Sequence, residues 1–176
     1  MKRARWTGVA TGIALAASSL GSSGRAADSV SGVLTRTFTI VEDTDLTGDV
    51  VCDVGAGASC FAFGAAGVQL RLNGFTITGK ADPGTACAGT LIGGEHGIST
   101  AGLHGVSVHG PGLVQRFRTH GVAVLASRDV RIDGITASTN CGAGVFVNAA
   151  SFGTLVEAVT SVRNGSTSAG ASCGGI

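Results

Sequence analysis

VSVHGPGLVQ, residues 106–115, recurs 24 positions later as VRIDGITAST, residues 130–139. In both segments apolar side chains alternate with polar ones, at Val106/Val108 and at Val130/Ile132. That is the period of a strand with one buried face. Two further segments align with this pair, LRLNGFTITG from Leu70 and TLVEAVTSVR from Thr154. Their corner residues, Gly74, Gly110, Gly134 and Ala158, lie 36, 24 and 24 positions apart. A second motif interleaves with the first: HGIST from His96, HGVAV from His120, AGVFV from Ala143 and GGI from Gly174. Its glycines, Gly97, Gly121, Gly144 and Gly175, are spaced by 24, 23 and 31. Two interleaved series with one period require at least two strands per coil.

One such strand-turn-strand unit cannot bury its apolar face alone, so successive coils must stack, each pairing its backbone with the next about 4.8 Å away. The expected fold is therefore all-β, a parallel β-helix of coils of 23–24 residues. A β-sandwich would explain evenly spaced strands but not a repeat in residue identity. The irregular spacings become rim insertions at residues 80–93 (KADPGTACAGTLIG) and 165–172 (GSTSAGAS), both rich in turn formers. Thirty glycines, two prolines and no tyrosine fit many short strands and tight corners.

The chain opens with Lys2, Arg3 and Arg5 and continues through an alanine-rich stretch without an acidic residue. This reads as a signal peptide over residues 1–26, cleaved after Ala26, with the β-domain over 27–176. The stretch is too short and too rich in Gly, Ser and Thr to span a membrane, which takes roughly 20 apolar residues. A secreted or periplasmic location is expected. Of the 12 basic residues four, Lys2, Arg3, Arg5 and Arg25, belong to the leader, so eight remain against 11 acidic ones. A mildly acidic mature chain lacks the concentrated basic face that nucleic acid requires.

LRLNGFTITG, the upstream TDLTGDVVC from Thr44 and the later coils ending in Asn resemble the right-handed parallel β-helix repeat proteins of the pectate-lyase-like superfamily. The resemblance runs from about Thr35 to Ile176. It implies a right-handed winding, and it implies a wide range of activities, since the superfamily holds polysaccharide lyases, hydrolases, epimerases and members without assigned activity. The acidic calcium ligands of its lyases and the aspartate group of its polygalacturonases have no residue-by-residue counterpart here. Beyond the leader there is no Trp and no Tyr to stack on sugars. The expectation is an exported protein that binds or modifies an acidic polysaccharide, with a non-catalytic interaction module or a fragment of a longer β-helix as alternatives. Ile176 opens a new coil with nothing resembling a cap, so the expected C-terminal end meets either missing sequence or another chain.

Five cysteines in an exported chain suggest disulfides with one left over. Cys141 and Cys173 stand three and two residues before Gly144 and Gly175, so stacking would bring them together as the first expected pair. Cys52 and Cys60 bracket the loop DVGAGAS and form the second, which leaves Cys87 unpaired or joined to missing sequence.

The aligned segments place Asn73, His109, Asp133 and Glu157 at one position before the corner, as an outward column. Beside it run Arg71, Ser107, Arg131 and Leu155. Stacked coils would hold Asp133 and Glu157 about 5 Å apart, where each carboxylate raises the other's proton affinity, near the separation used by retaining glycosidases. The candidate catalytic residues are His109, Asp133 and Glu157, and the candidate substrate-binding residues are Asn73, Arg71 and Arg131. Equally, outward residues of a solenoid must be polar whatever they do. His96 and His120 stack in the same register but are too few for a metal site, so no metal and no cofactor is expected. Asn140 and Asn164 read as an asparagine ladder inside a turn.

Overall fold

The alternation read from residues 106–115 and 130–139 is realised in the structure, a computed structural model that describes residues 27–81, 87, 92–165 and 175–176. Val108 and Ile132 are buried, while Ser107, His109, Arg131 and Asp133 between them face outward. In chain order the strands are β1 (Asp28–Leu34), β2 (Phe38–Ile40), β3 (Thr44–Cys52), β4 (Phe61–Phe63), β5 (Gln69–Arg71), β6 (Thr76–Thr78), β7 (Ile98–Ala101), β8 (Ser107–Gln115), β9 (Val122–Leu125), β10 (Arg131–Ser138), β11 (Val145–Val147), β12 (Leu155–Glu157) and β13 (Thr160–Val162). No helix occurs among the described residues, and so none long and apolar enough to cross a membrane.

All the strand pairs are parallel. The larger sheet runs β1-β3-β5-β8-β10-β12, with β6 lying between β3 and β8 and β13 beside β10. The smaller runs β2-β4-β7-β9-β11. The chain thus alternates between two sheets, and each pass lies beside the previous one. Between the sheets sit three inward rows: Thr44, Leu70, Val108 and Ile132; Val50, Ile77, Val114 and Ala137; and Phe61, Ile98, Val122 and Val145. β1 supplies a first coil that the aligned segments do not contain. It is short, since Asp28 pairs with Thr44.

The glycines of the second motif have a steric cause. A Cβ on Gly97 would lie 2.5 Å from the carbonyl oxygen of Gly121, and one on Gly121 would lie 2.6 Å from that of Gly144. Only glycine lets successive coils approach this closely where they turn into the smaller sheet.

Within the turn from the larger sheet, the asparagine ladder is present. Asn140 accepts the Phe117 amide on Oδ1 (3.1 Å) and donates from Nδ2 to Asn164 Oδ1 (2.9 Å) and to the Val114 carbonyl (3.3 Å). Asn164 donates in turn to the Ala137 carbonyl (2.8 Å). A turn that would otherwise bury unpaired backbone groups is thereby satisfied coil by coil.

Cys52 is bonded to Cys60 across its short loop, with Cα atoms 5.6 Å apart. The other bridge corrects the expected pairing of Cys141 with Cys173. Cys141 is bonded to Cys87, at a Cα separation of 5.2 Å. Ala81 and Cys87, both from the insertion, form with Cys141 a small buried cluster of their own beside the turn after β10. Cys87 is therefore not the leftover thiol. Cys173, the rest of the second insertion and the leader lie outside the described residues.

Candidate functional site

Register decides which outward side chains are neighbours. Asp45 pairs with Arg71, Arg71 with His109, His109 with Asp133, and Asp133 with Glu157. Four of the expected residues thus share a row, but Arg71 takes the place expected for Asn73, and Gln69 the place expected for Arg71 beside Ser107, Arg131 and Leu155. The displacement comes from the corner. The span between paired inward positions shortens by one residue per coil, from Leu70–Ile77 to Val108–Val114 to Ile132–Ala137. The bend at Asn73 and Gly74, both at positive φ, holds the extra residues. Asn73 lies in that bend and donates to the Leu46 carbonyl at 3.1 Å.

The row is internally paired from end to end. Arg71 contacts Asp45 (2.8 Å) and Asp43 (3.4 Å), and Gln69 donates to Asp43 at 2.7 Å. His109 donates from Nδ1 to Asp133 Oδ1 (2.9 Å), with its Nε2 3.0 Å from the Ser107 hydroxyl. Arg131 reaches Asp133 through Nε and Glu157 through a terminal nitrogen, both at 2.8 Å. This overturns the expected like-charge coupling. One guanidinium stands between the two carboxylates. Partial burial of Asp133 acts to raise its proton affinity, but hydrogen bonds from Arg131 and His109 outweigh it and hold the carboxyl below the usual carboxylate range. Asp133 is consequently no proton donor near neutral pH, and Arg131 and His109 already have partners.

On the smaller sheet the expected stack of His96 on His120 is present, with ring centroids 5.3 Å apart and planes at 6°. Phe146 continues it, 4.4 Å from His120 at 9°. His120 Nδ1 accepts the Ala143 amide at 2.9 Å, while the buried Nδ1 of His96 has no hydrogen-bond partner among the described residues. Burial, and secondarily the neighbouring His120, push His96 down to about 4, and burial lowers His120 too. Among the described residues no group of three or more His, Cys, Asp or Glu side chains could hold a metal ion.

A third outward row lies at the corner that leads into the larger sheet. His104 bridges to Arg128 and Arg128 to Phe152, again in parallel register. All three side chains are exposed, Phe152 at 63%. With Gly102, Leu103 and Ala126 they line a cleft of about 340 Å³.

No protein-family model, curated protein or solved structure matches this chain.

The corner row was missed because the aligned segments begin at Val106, Val130 and Thr154. Four residues upstream the same 24-residue repeat continues as GLHG, ASRD and ASFG, which sets His104, Arg128 and Phe152 in register. ASRD reads most simply as a solvated charge pair at a strand edge. The repeat around it is the signal that marks a corner.

Proposed function

We propose that this protein is an exported, right-handed parallel β-helix of the pectate-lyase-like kind that acts as a non-catalytic interaction module. Right-handed winding is supported by the near-universal hand of crossovers joining parallel strands of one sheet. Export is supported by the two disulfides, which persist in oxidising compartments, and by the basic, alanine-rich leader.

The observation that carries the non-catalytic reading is Arg131 bridging Asp133 and Glu157. Glycoside hydrolysis by two carboxyl groups needs one of them set apart as a proton donor. Asp133 is held ionised instead. The row also sets four carboxylates, Asp43, Asp45, Asp133 and Glu157, against the guanidiniums of Arg71 and Arg131. An acidic polysaccharide laid along it would meet a surface of its own sign. The row therefore serves as cross-bracing between coils.

The test is turnover. Purified protein incubated with polygalacturonate and with alginate is expected to release neither reducing ends nor unsaturated uronates. Turnover that disappears in a folded Asp133→Asn/Glu157→Gln variant would overturn the reading and return the row to catalysis.

A further inference from the structure

We propose that the corner cleft between His104, Arg128 and Phe152 is a binding site for a carboxylate carried on a ring with an apolar face. This goes beyond the interaction role by naming the contact surface and the chemistry it selects.

The argument starts from contrast with the neighbouring row. Arg71 and Arg131 each meet a carboxylate at 2.8 Å, whereas among the described residues no ion pair occupies Arg128. Its guanidinium is a planar fork of donors that matches a carboxylate in two parallel hydrogen bonds. One coil below, Phe152 offers an exposed aromatic face, and large exposed aromatics concentrate at contact sites. Leu103 and Ala126 complete apolar walls, and His104 one coil above adds a polar ring. About 340 Å³ suits a single ring with its substituents. The charge selects further. There is one guanidinium, and the exposed Asp129 follows it directly in the chain. A singly charged planar anion fits this balance better than a phosphate dianion.

The backbone under the cleft is fixed, as a pre-formed site requires. The buried Ser127 hydroxyl donates to the Leu125 carbonyl (2.9 Å) and accepts the Leu103 amide (3.2 Å). The Arg128 amide donates to the Leu103 carbonyl (3.0 Å), and the amides of Asp129 and Phe152 tie this coil to the next (3.0 and 3.1 Å). Asn148 Oδ1 accepts the Ala126 amide at 2.9 Å.

Such a ring carboxylate has two sources, a uronic acid unit of a glycan or a small aromatic acid. Titration of the exported chain with D-galacturonate and with 4-hydroxybenzoate, followed by amide chemical shifts, separates them. Galactose and 4-hydroxybenzyl alcohol serve as uncharged counterparts. At least one acid is expected to shift the amides of residues 102–105, 126–129 and 152–153 saturably, at least about tenfold more tightly than its uncharged counterpart. Arg128→Gln and Phe152→Ala are each expected to weaken it about tenfold or more with strand content unchanged, because both side chains are exposed. Saturation by galacturonate alone assigns the glycan, and saturation by 4-hydroxybenzoate alone assigns the aromatic acid. Absence of both at millimolar concentration, equal binding of acid and uncharged counterpart, or undiminished binding in either folded variant overturns the proposal. None of these outcomes alters the turnover test on Asp133 and Glu157, so the two readings fail separately.

Discussion

Two outward rows, five residues apart on the same coils, illustrate opposite uses of charge. His109, Asp133, Glu157 and Arg131 form a closed set in which each polar group has a partner on its own or the adjoining coil. His104, Arg128 and Phe152 are bridged through their backbones in the same parallel register, with no ion pair among their side chains. Both rows exist because a coil repeat copies an outward position once per turn. What separates them is whether neighbouring copies are complementary. A paired row joins the coils it crosses, and an unpaired row leaves a cation and an aromatic face to meet something else.

The paired principle is strongest where water is absent, which sets the largest expected effect. Asn140→Ala strips the Phe117 amide, the Val114 carbonyl and Asn164 of their partner in a buried turn. Each unsatisfied buried group costs about 1–3 kcal/mol, so a loss of roughly 3–5 kcal/mol in urea unfolding is expected. A loss below about 1 kcal/mol would show that water replaces the amide, and the buried ladder would then differ little from the surface row.

These rows were unequally legible in the sequence. The parallel coils follow from segments that repeat in identity as well as spacing, and the stacked His96/His120 and Asn140/Asn164 pairs follow from the same 24-residue step. The Asp133 and Glu157 pairing follows too. The placement of Asn73 did not, because matching corner glycines conceal how many residues each bend contains, and the bend at Gly74 is longer than the one at Gly134. The Cys87–Cys141 bridge joins an insertion to a coil, and an insertion has no register from which its partner could be inferred. Arg131 was placed in the correct row, yet its reach to both carboxylates is a side-chain rotamer that no spacing encodes.

An acid titration compares the rows a second way. His96 is held neutral down to about pH 4, whereas an unfolded imidazole takes up its proton near 6.5. Between those values the unfolded chain binds more protons, so stability is full above about pH 6.5 and falls as the pH drops towards 4. The difference corresponds to roughly 3 kcal/mol. His120, likewise lowered by burial, adds to it in the same direction. Glu95, next to His96, is buried in a two-point contact with Arg118 at 2.6 and 2.7 Å and provides no free counter-charge. Asp133, whose carboxyl is lowered, contributes stability above the usual carboxylate range that is lost only at still lower pH. Chemical denaturation at steps from pH 7 to pH 4 is expected to show the decline, and His96→Phe/His120→Phe to flatten it. A decline of the same size in that double variant would locate the proton uptake elsewhere.

The smallest effect is the most discriminating between the two surface rows. Arg131→Gln removes the bridge between Asp133 and Glu157 and leaves two carboxylates facing each other across adjacent coils. The side chain is half exposed, and exposed pairs contribute about 0–1 kcal/mol, so a destabilisation of up to about 1 kcal/mol is expected. It should shrink when salt is raised, because screening weakens both the lost attraction and the new repulsion. Arg128→Gln, three residues earlier, removes an equally charged side chain with no carboxylate partner among the described residues and is expected to change stability by less than about 0.5 kcal/mol at any salt concentration. Parallel urea unfolding of the two variants at low and high ionic strength measures the difference directly. Equal, salt-dependent losses would mean that Arg128 also braces the coils, and the distinction between a closed row and an open one would lose its energetic basis. A loss at Arg131 that vanishes in salt, beside no loss at Arg128, would show that the corner carries its cation without using it for folding.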